Sequence, residues 1–220
     1  MYRNRFNLRK VVVIAIYLVG FSVGNVLAQD NTTDQGVVIN GVKWATRNVD
    51  KPGTFAATPE STGMFYQWNR RVGWSTTDPI TNSNGASNWN DTGSEGTMWE
   101  KSNDPSPVGW RVPTVYEIMT LLDTQKVKNE WTTKNGIYGR KFTDIASGVS
   151  IFLPATGNLC TFNRNPTLYD VGSKGNYWSS SQSSMEYNKY NAYGLFFLND
   201  RLEYGVNARS CGNAIRSVAE

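Results

Sequence analysis

Residues 182–210 carry the side chains best suited to hold a ligand. Tyr187, Asn188, Tyr190, Asn191, Tyr193, Asn199, Asp200, Arg201, Glu203, Tyr204, Asn207 and Arg209 all fall in this span. Tyrosine offers rigid, amphipathic contact area at low entropic cost, and asparagine offers adaptable hydrogen bonds. That is the composition of recognition loops in general. The residues expected to touch a ligand are Tyr187, Tyr190, Tyr193, Asn199, Asp200, Arg201 and Tyr204. The GLFFLN run can hold a strand while the polar residues face out. The competing reading is an ordinary hydrated loop and edge strand.

Other chemistries are poorly served. The chain has no histidine, which removes Ser-His-Asp and Cys-His catalysis, His-ligated zinc and a neutral-pH imidazole switch. Its two cysteines cannot build a four-thiolate zinc site. No glycine-rich loop precedes a helix as a phosphate cradle requires. Carboxylates are scattered, with no spacing that marks a glycosidase pair. NWND, residues 88–91, offers oxygen ligands of the kind calcium takes. One Asp gives too little charge for a strong site, so a solvated turn is the preferred reading. No catalytic residue, cofactor or metal is expected.

Elements must position the recognition residues. DPSPVGWRVPT, residues 104–114, contains Pro105, Pro107 and Pro113, which fix φ and remove donors, so this backbone is stiff and extended. Thr114 and Glu117 then form the T-x-x-E pattern of a capping box. Val115, Ile118, Met119, Leu121 and Leu122 place an apolar stripe on one helical face, predicting a main helix over about 114–123. Trp110, Arg111, Pro113, Thr114 and Glu117 are read as structural, with Trp110 a wedge for that helix. The rival for Trp110 and Arg111 is a stacking platform and an anion clamp. Trp178, in YWSSS, has the same two readings, with core packing preferred.

Short strand candidates surround the helix. Asn40 and Gly41 lie between two β-prone runs, the strongest short-range hairpin signal. NEWTTKNGIYGRKF and SIFLPATG are strand candidates divided by Asn-Gly and Ala-Ser-Gly turns. AYGLFFLND, RLEYGVNARS and NAIRSVAE read as closing strands. Residues 76–97 have almost no aliphatic content and read as a long surface loop, more mobile than its surroundings. Strands, one helix and then many short strands make an α+β pattern.

The N-terminus reads as an export signal. MYRNRFNLRK is basic, VVVIAIYLVGFSV is apolar, and Val26 and Ala28 are small residues at cleavage positions. The apolar run is shorter than the ~20 residues a spanning helix needs, so cleavage after residue 28 is expected over a membrane anchor. Residues 29–35 form a polar lead-in and residues 36–220 a single domain. The signal holds four of the 22 Lys and Arg and none of the 18 acids, leaving 18 charges of each sign. With no basic field to displace counterions, nucleic-acid binding is not expected. In an oxidising compartment Cys160 and Cys211 invite a bridge. The alternative is two buried thiols too far apart to bond.

DPSPVGWRVPT, FLPATG, GNYWSSS and the ending RSCGNAIRSV, in that order, resemble the Fibrobacter succinogenes major paralogous domain. GVKWATRNV and GMFYQWNR look like the N-terminal part of such proteins, so the resemblance covers roughly residues 36–220. That family is abundant in secreted proteins of Bacteroidetes-type bacteria. The resemblance implies a C-type-lectin-like fold, with paired terminal strands and long loops, in which the 104–114 segment frames the helix. One departure is informative. The family's usual DPCP and VRCV carry cysteines where this chain has Ser106 and Ser217.

The combined expectation is a secreted or cell-surface, adhesin-like binding module, not an enzyme. It would recognise a glycan, or an envelope or host protein, through its C-terminal third, and meet a membrane only during export. The alternative is a structural envelope or pilus-associated subunit without a small ligand.

Overall fold

The computed structural model describes residues 30–162, 165–184 and 189–220. The export signal assigned to residues 1–28 lies outside them, as does Tyr187. In chain order the strands are β1 (Val37–Ile39), β2 (Val42–Trp44), β3 (Phe65–Gln67), β4 (Gly73–Trp74), β5 (Trp110–Arg111), β6 (Val127–Lys134), β7 (Ile137–Asp144), β8 (Ser150–Pro154), β9 (Asn158–Phe162), β10 (Asn165–Tyr169), β11 (Gly175–Gln182), β12 (Asn191–Phe197), β13 (Leu202–Ala208), β14 (Gly212–Asn213) and β15 (Val218–Ala219). The helix α1 (Val115–Thr120) lies between β5 and β6, and a 3-10 turn occupies Lys101–Asn103.

The strands form four sheets, ordered β1-β2-β15-β5, β10-β9-β14-β3-β4, β11-β12-β13 and β6-β7-β8. Every pairing between named strands is antiparallel. Two tight hairpins follow from Asn-Gly chemistry. Asn40 and Gly41 have φ of 46° and 80°, and Asn135 and Gly136 have φ of 50° and 81°. Both turns need two left-handed residues in succession, which asparagine and glycine supply most cheaply.

The α+β expectation with a main helix over about 114–123 is corrected: the protein is nearly all β. The helix has six residues, fewer than two turns at 3.6 residues per turn. Its start follows the sequence pattern, because Thr114 and Glu117 form the reciprocal capping box. Its end comes early. The Leu121 amide donates to the Ile118 carbonyl, the Val127 amide donates to that of Asp123, and β6 begins at once. Met119, expected in the apolar stripe, is exposed. With so short a helix, the layers are sheets, and the C-type-lectin-like architecture expected with it is withdrawn.

The main core lies between sheets and uses Ile39, Trp44, Phe142, Leu153, Tyr177 and Phe197, with Ile118 and Leu121 from the helical corner. Arg216 sits at its edge, fully buried and, among the described residues, without a carboxylate partner in contact. Its guanidinium donates to Asn48 Oδ1 and to the carbonyls of Ala45, Pro59 and Phe152. Burial lowers its pKa to about 10, since a low-dielectric interior disfavours the charged form.

Cys160 and Cys211 form a disulfide. The pairing of Gly212 with Leu159 brings the two cysteines side by side across β14 and β9. Among the described residues no helix is long and apolar enough to cross a membrane.

The loop at 76–97 is tied down at several points. Trp89 packs on Trp74 at 4.8 Å between ring centroids. Gln67 Nε2 donates to the Asn90 carbonyl. Arg209 Nη1 donates to the carbonyls of Ser94 and Gly96. A loop poor in aliphatic residues is held here by its backbone carbonyls and a tryptophan rather than by a core of its own.

Candidate functional site

The hairpin β6–β7 sets the floor of the candidate site. Its Asn-Gly turn pairs Trp131 with Arg140 and Thr133 with Tyr138. Trp131 and Tyr138 therefore stand on one face as a diagonal pair, within reach for large side chains. Their rings stack at 16° between planes, with centroids 6.0 Å apart. The inner edge of Trp131 meets Phe197 at 70°, which anchors the platform to the core. The Tyr138 ring is 52% exposed.

The hairpin β12–β13 supplies the wall. The Leu198 amide donates to the Arg201 carbonyl, closing a tight turn with Asn199 and Asp200 at its tip. Arg140 fixes that turn from below. Its Nη2 donates to the carbonyls of Leu198 at 2.6 Å, Asn199 at 3.0 Å and Arg201 at 3.3 Å. Its Nη1 donates to Asn129 Oδ1 at 2.5 Å. Burial pushes the Arg140 guanidinium below its ordinary value, partly offset by attraction to Asp200.

Between platform and wall lies an open pocket of about 450 Å³, lined by Trp131, Tyr138, Leu198, Asn199, Asp200 and the turn at 172–173. That volume falls within the range of small-molecule sites. Trp131, Tyr138, Asn199 and Asp200 make no side-chain hydrogen bond or ion pair with the described residues. Four polar side chains thus face the opening uncommitted. By contrast, Asn90 Oδ1 accepts from Thr92 in an Asx-type turn, and Asp144 accepts from Asn40 and Ser147. The NWND stretch is thereby a turn whose tryptophan packs inward.

A larger groove, of about 720 Å³, runs along the 104–114 segment. Its charges are already used. Arg111 makes two hydrogen bonds to Glu117, at 2.9 and 2.6 Å. Lys101 pairs with Glu220 at 3.1 Å. Asp104 accepts from the amides of Ser106 and Val112. Trp110 packs edge-on against Phe55, and Pro113 accepts through its carbonyl from Ser180. Trp178 is fully buried and donates through Nε1 to the Tyr66 carbonyl. The segment frames the fold with its polar groups turned inward.

The remaining residues expected to bind ligand do not gather at the pocket. Tyr190 is 67% exposed, with Lys189 above its ring. Tyr193 shares a hydrogen bond with Ser184 at 2.8 Å, and its ring lies 6.2 Å from that of Tyr204. Arg201 pairs with Glu203 at 2.8 Å. Only Asn199 and Asp200 of the seven line the pocket, and Tyr187 lies outside the described residues. Trp131 and Tyr138 escaped the sequence reading because they sit in a hairpin far from the Tyr- and Asn-rich third. The signal was present in NEWTTKNGIYGR: once Asn135 and Gly136 fix the turn, the diagonal pair follows.

Comparison with protein-family models, curated proteins and solved structures gives no match to this chain.

Proposed function

We propose that this protein is an exported binding module that holds a glycan against the Trp131/Tyr138 platform. A pyranose ring has an apolar face of C–H groups and a rim of hydroxyls. Aromatic faces carry partial negative charge that attracts such C–H edges. The hydroxyls then need donors and acceptors, which Asn199, Asp200, Tyr138 and Trp131 Nε1 offer. The observation that carries the proposal is the coincidence of a stacked aromatic pair with four uncommitted polar groups in one pocket.

Export belongs to the same proposal. The basic-then-apolar N-terminus supports it, as does the disulfide, since such bonds persist in oxidising compartments. Kinship with the Fibrobacter succinogenes major paralogous domain is also part of the proposal, without the fold first attached to it. What supports it is the contact between Ser106 and Ser217, whose Oγ atoms lie 2.7 Å apart. Those are the two positions at which the resembling family carries cysteine.

A glycan array probed with residues 29–220 tests the reading, alongside Tyr138→Ala and Asn199→Ala. Tyr138 is half exposed, so its loss should leave folding intact while removing about 1–2 kcal/mol of binding, the scale of a modest hot spot. A blank array with folded protein overturns the glycan reading. Retained binding in both variants overturns the site.

A further inference from the structure

We infer that the pocket selects uncharged pyranose residues and rejects uronic and sialic acids; this rests on the glycan reading above. The argument is one of charge. Asp200 is the only ionisable group besides the Tyr138 phenol among the lining residues. Its carboxylate has no hydrogen-bond or ion-pair partner among the described residues. An acidic sugar would therefore bring a second negative charge beside Asp200, into a pocket whose lining holds no cation to hydrogen-bond it, with the buried charge of Arg140 beneath the turn already shared with Asp200. Like charges at close range are costly.

The cations near the pocket have other contacts, although the buried Nε of Arg140 has no hydrogen-bond partner among the described residues. Arg140 lies beneath the turn, with Nη1 on Asn129 and Nη2 on three carbonyls. Turning it toward a ligand would strand those acceptors. Arg201, next in sequence to Asp200, pairs with Glu203. Lys174, beside the turn at 172–173, extends over the ring of Phe196. Phe196 and Phe197 are consecutive on β12 and so point to opposite faces of the sheet. Phe197 is the residue that Trp131 touches, which puts Lys174 on the far side.

The same carboxylate favours neutral sugars. Two adjacent hydroxyls can both donate to one carboxylate, and hydrogen bonds to a charged acceptor are about twice as strong as neutral ones. Asn199 beside it can donate or accept as the sugar stereochemistry requires. The expected ligand is a neutral pyranose with vicinal hydroxyls, stacked on Trp131 and Tyr138 and held through Asp200.

The test titrates matched oligosaccharides that differ only at C6, oligogalactose against oligogalacturonate and oligoglucose against oligoglucuronate. Wild-type protein and Asp200→Asn are compared at low and high salt. The neutral member of a pair should bind at least about tenfold tighter at low salt, a gap of about 1.4 kcal/mol. The gap should shrink with salt and close in Asp200→Asn, whose retained fold is checked by circular dichroism. If the uronate binds as well as its neutral partner, the charge inference falls and the glycan reading survives. If the gap persists in Asp200→Asn, the role given to Asp200 is wrong. If no sugar, on the array or in titration, binds at all, the glycan reading itself fails, and the inference with it.

Discussion

The hydroxyls of Ser106 and Ser217 meet at 2.7 Å, joining residues 111 positions apart in the chain. Ser217 is fully buried and Ser106 half-buried. The contact ties the proline-rich segment to the C-terminal strand it lies against. It occupies the place where a covalent staple would fit.

Replacing both serines by cysteine is expected to form that staple. A loop of ~100 residues closed by a disulfide gains up to about 4.7 kcal/mol in the chain-entropy model, less any strain. Thiol titration and mass spectrometry after purification from an oxidising compartment read the outcome. Persistence of two free thiols would show that the backbone geometry does not allow the bond. The single variants should be unequal. Ser106→Ala strands the buried hydroxyl of Ser217, at about 1–3 kcal/mol. Ser217→Ala leaves the Ser106 hydroxyl where water can reach it, and should cost less in a urea melt.

Arg140 is expected to act on the pocket through the turn it braces. Arg140→Met removes the donors to the carbonyls of Leu198, Asn199 and Arg201. Amide exchange over 198–201 should rise well beyond the global change in stability. Arg140→Lys should rescue little, because an ammonium lacks the planar fork that reaches Asn129 and the turn together. Unchanged exchange at these amides would sever Arg140 from the site.

The Arg111/Glu117 pair predicts a response to acid. Burial alone would raise the Glu117 carboxyl. The hydrogen bonds from Arg111 and Thr114 outweigh it and hold the pKa below its ordinary 4.5. A carboxyl with a depressed folded pKa contributes stability that is complete above the unfolded value and lost as pH falls through the folded one. Melting temperature should therefore fall below pH 4.5 in the wild type. In Glu117→Gln the starting stability should be lower and the acid limb flatter. Identical acid limbs would mean that other carboxyls dominate.

Removing the disulfide Cys160–Cys211 with a paired serine substitution should cost about 2–4 kcal/mol. Urea denaturation with and without reductant gives the measurement. Since Cys211 adjoins β14, the loss should concentrate in the β10-β9-β14-β3-β4 sheet, read as faster exchange at Leu159 and Gly212. Uniform exchange across the protein would point to one cooperative unit instead.

What was legible in the sequence was local. Asn40 with Gly41 and Asn135 with Gly136 announce their turns, because left-handed φ at both central positions narrows the residue choice. Thr114 and Glu117 announce a helix start for the same reason of local chemistry. The helix end was not legible, because Leu121 and Leu122 look helical until the Asp123 carbonyl accepts from Val127 and begins a strand. The pocket was half legible. Asn199 and Asp200 stood out by type, but their partners Trp131 and Tyr138 come from another sheet, and no local pattern encodes that meeting. Arg140 was invisible for a related reason: its three carbonyl acceptors belong to backbone some 60 residues away.

The strand order has a consequence for when the chain can fold. β15 lies between β2 and β5, and β14 lies between β9 and β3. Residues 212–219 thus fill the interior of two sheets rather than an edge. Until they emerge, β2 faces β5 across a gap one strand wide, and β3 faces β9 across another. Early segments cannot complete their ladders on their own, and such long-range pairing is slow to nucleate. The β6-β7-β8 and β11-β12-β13 meanders do not need these residues, so the chain can fold piecewise, but the other two sheets stay unfinished until residues 212–219 arrive to act as their keystone.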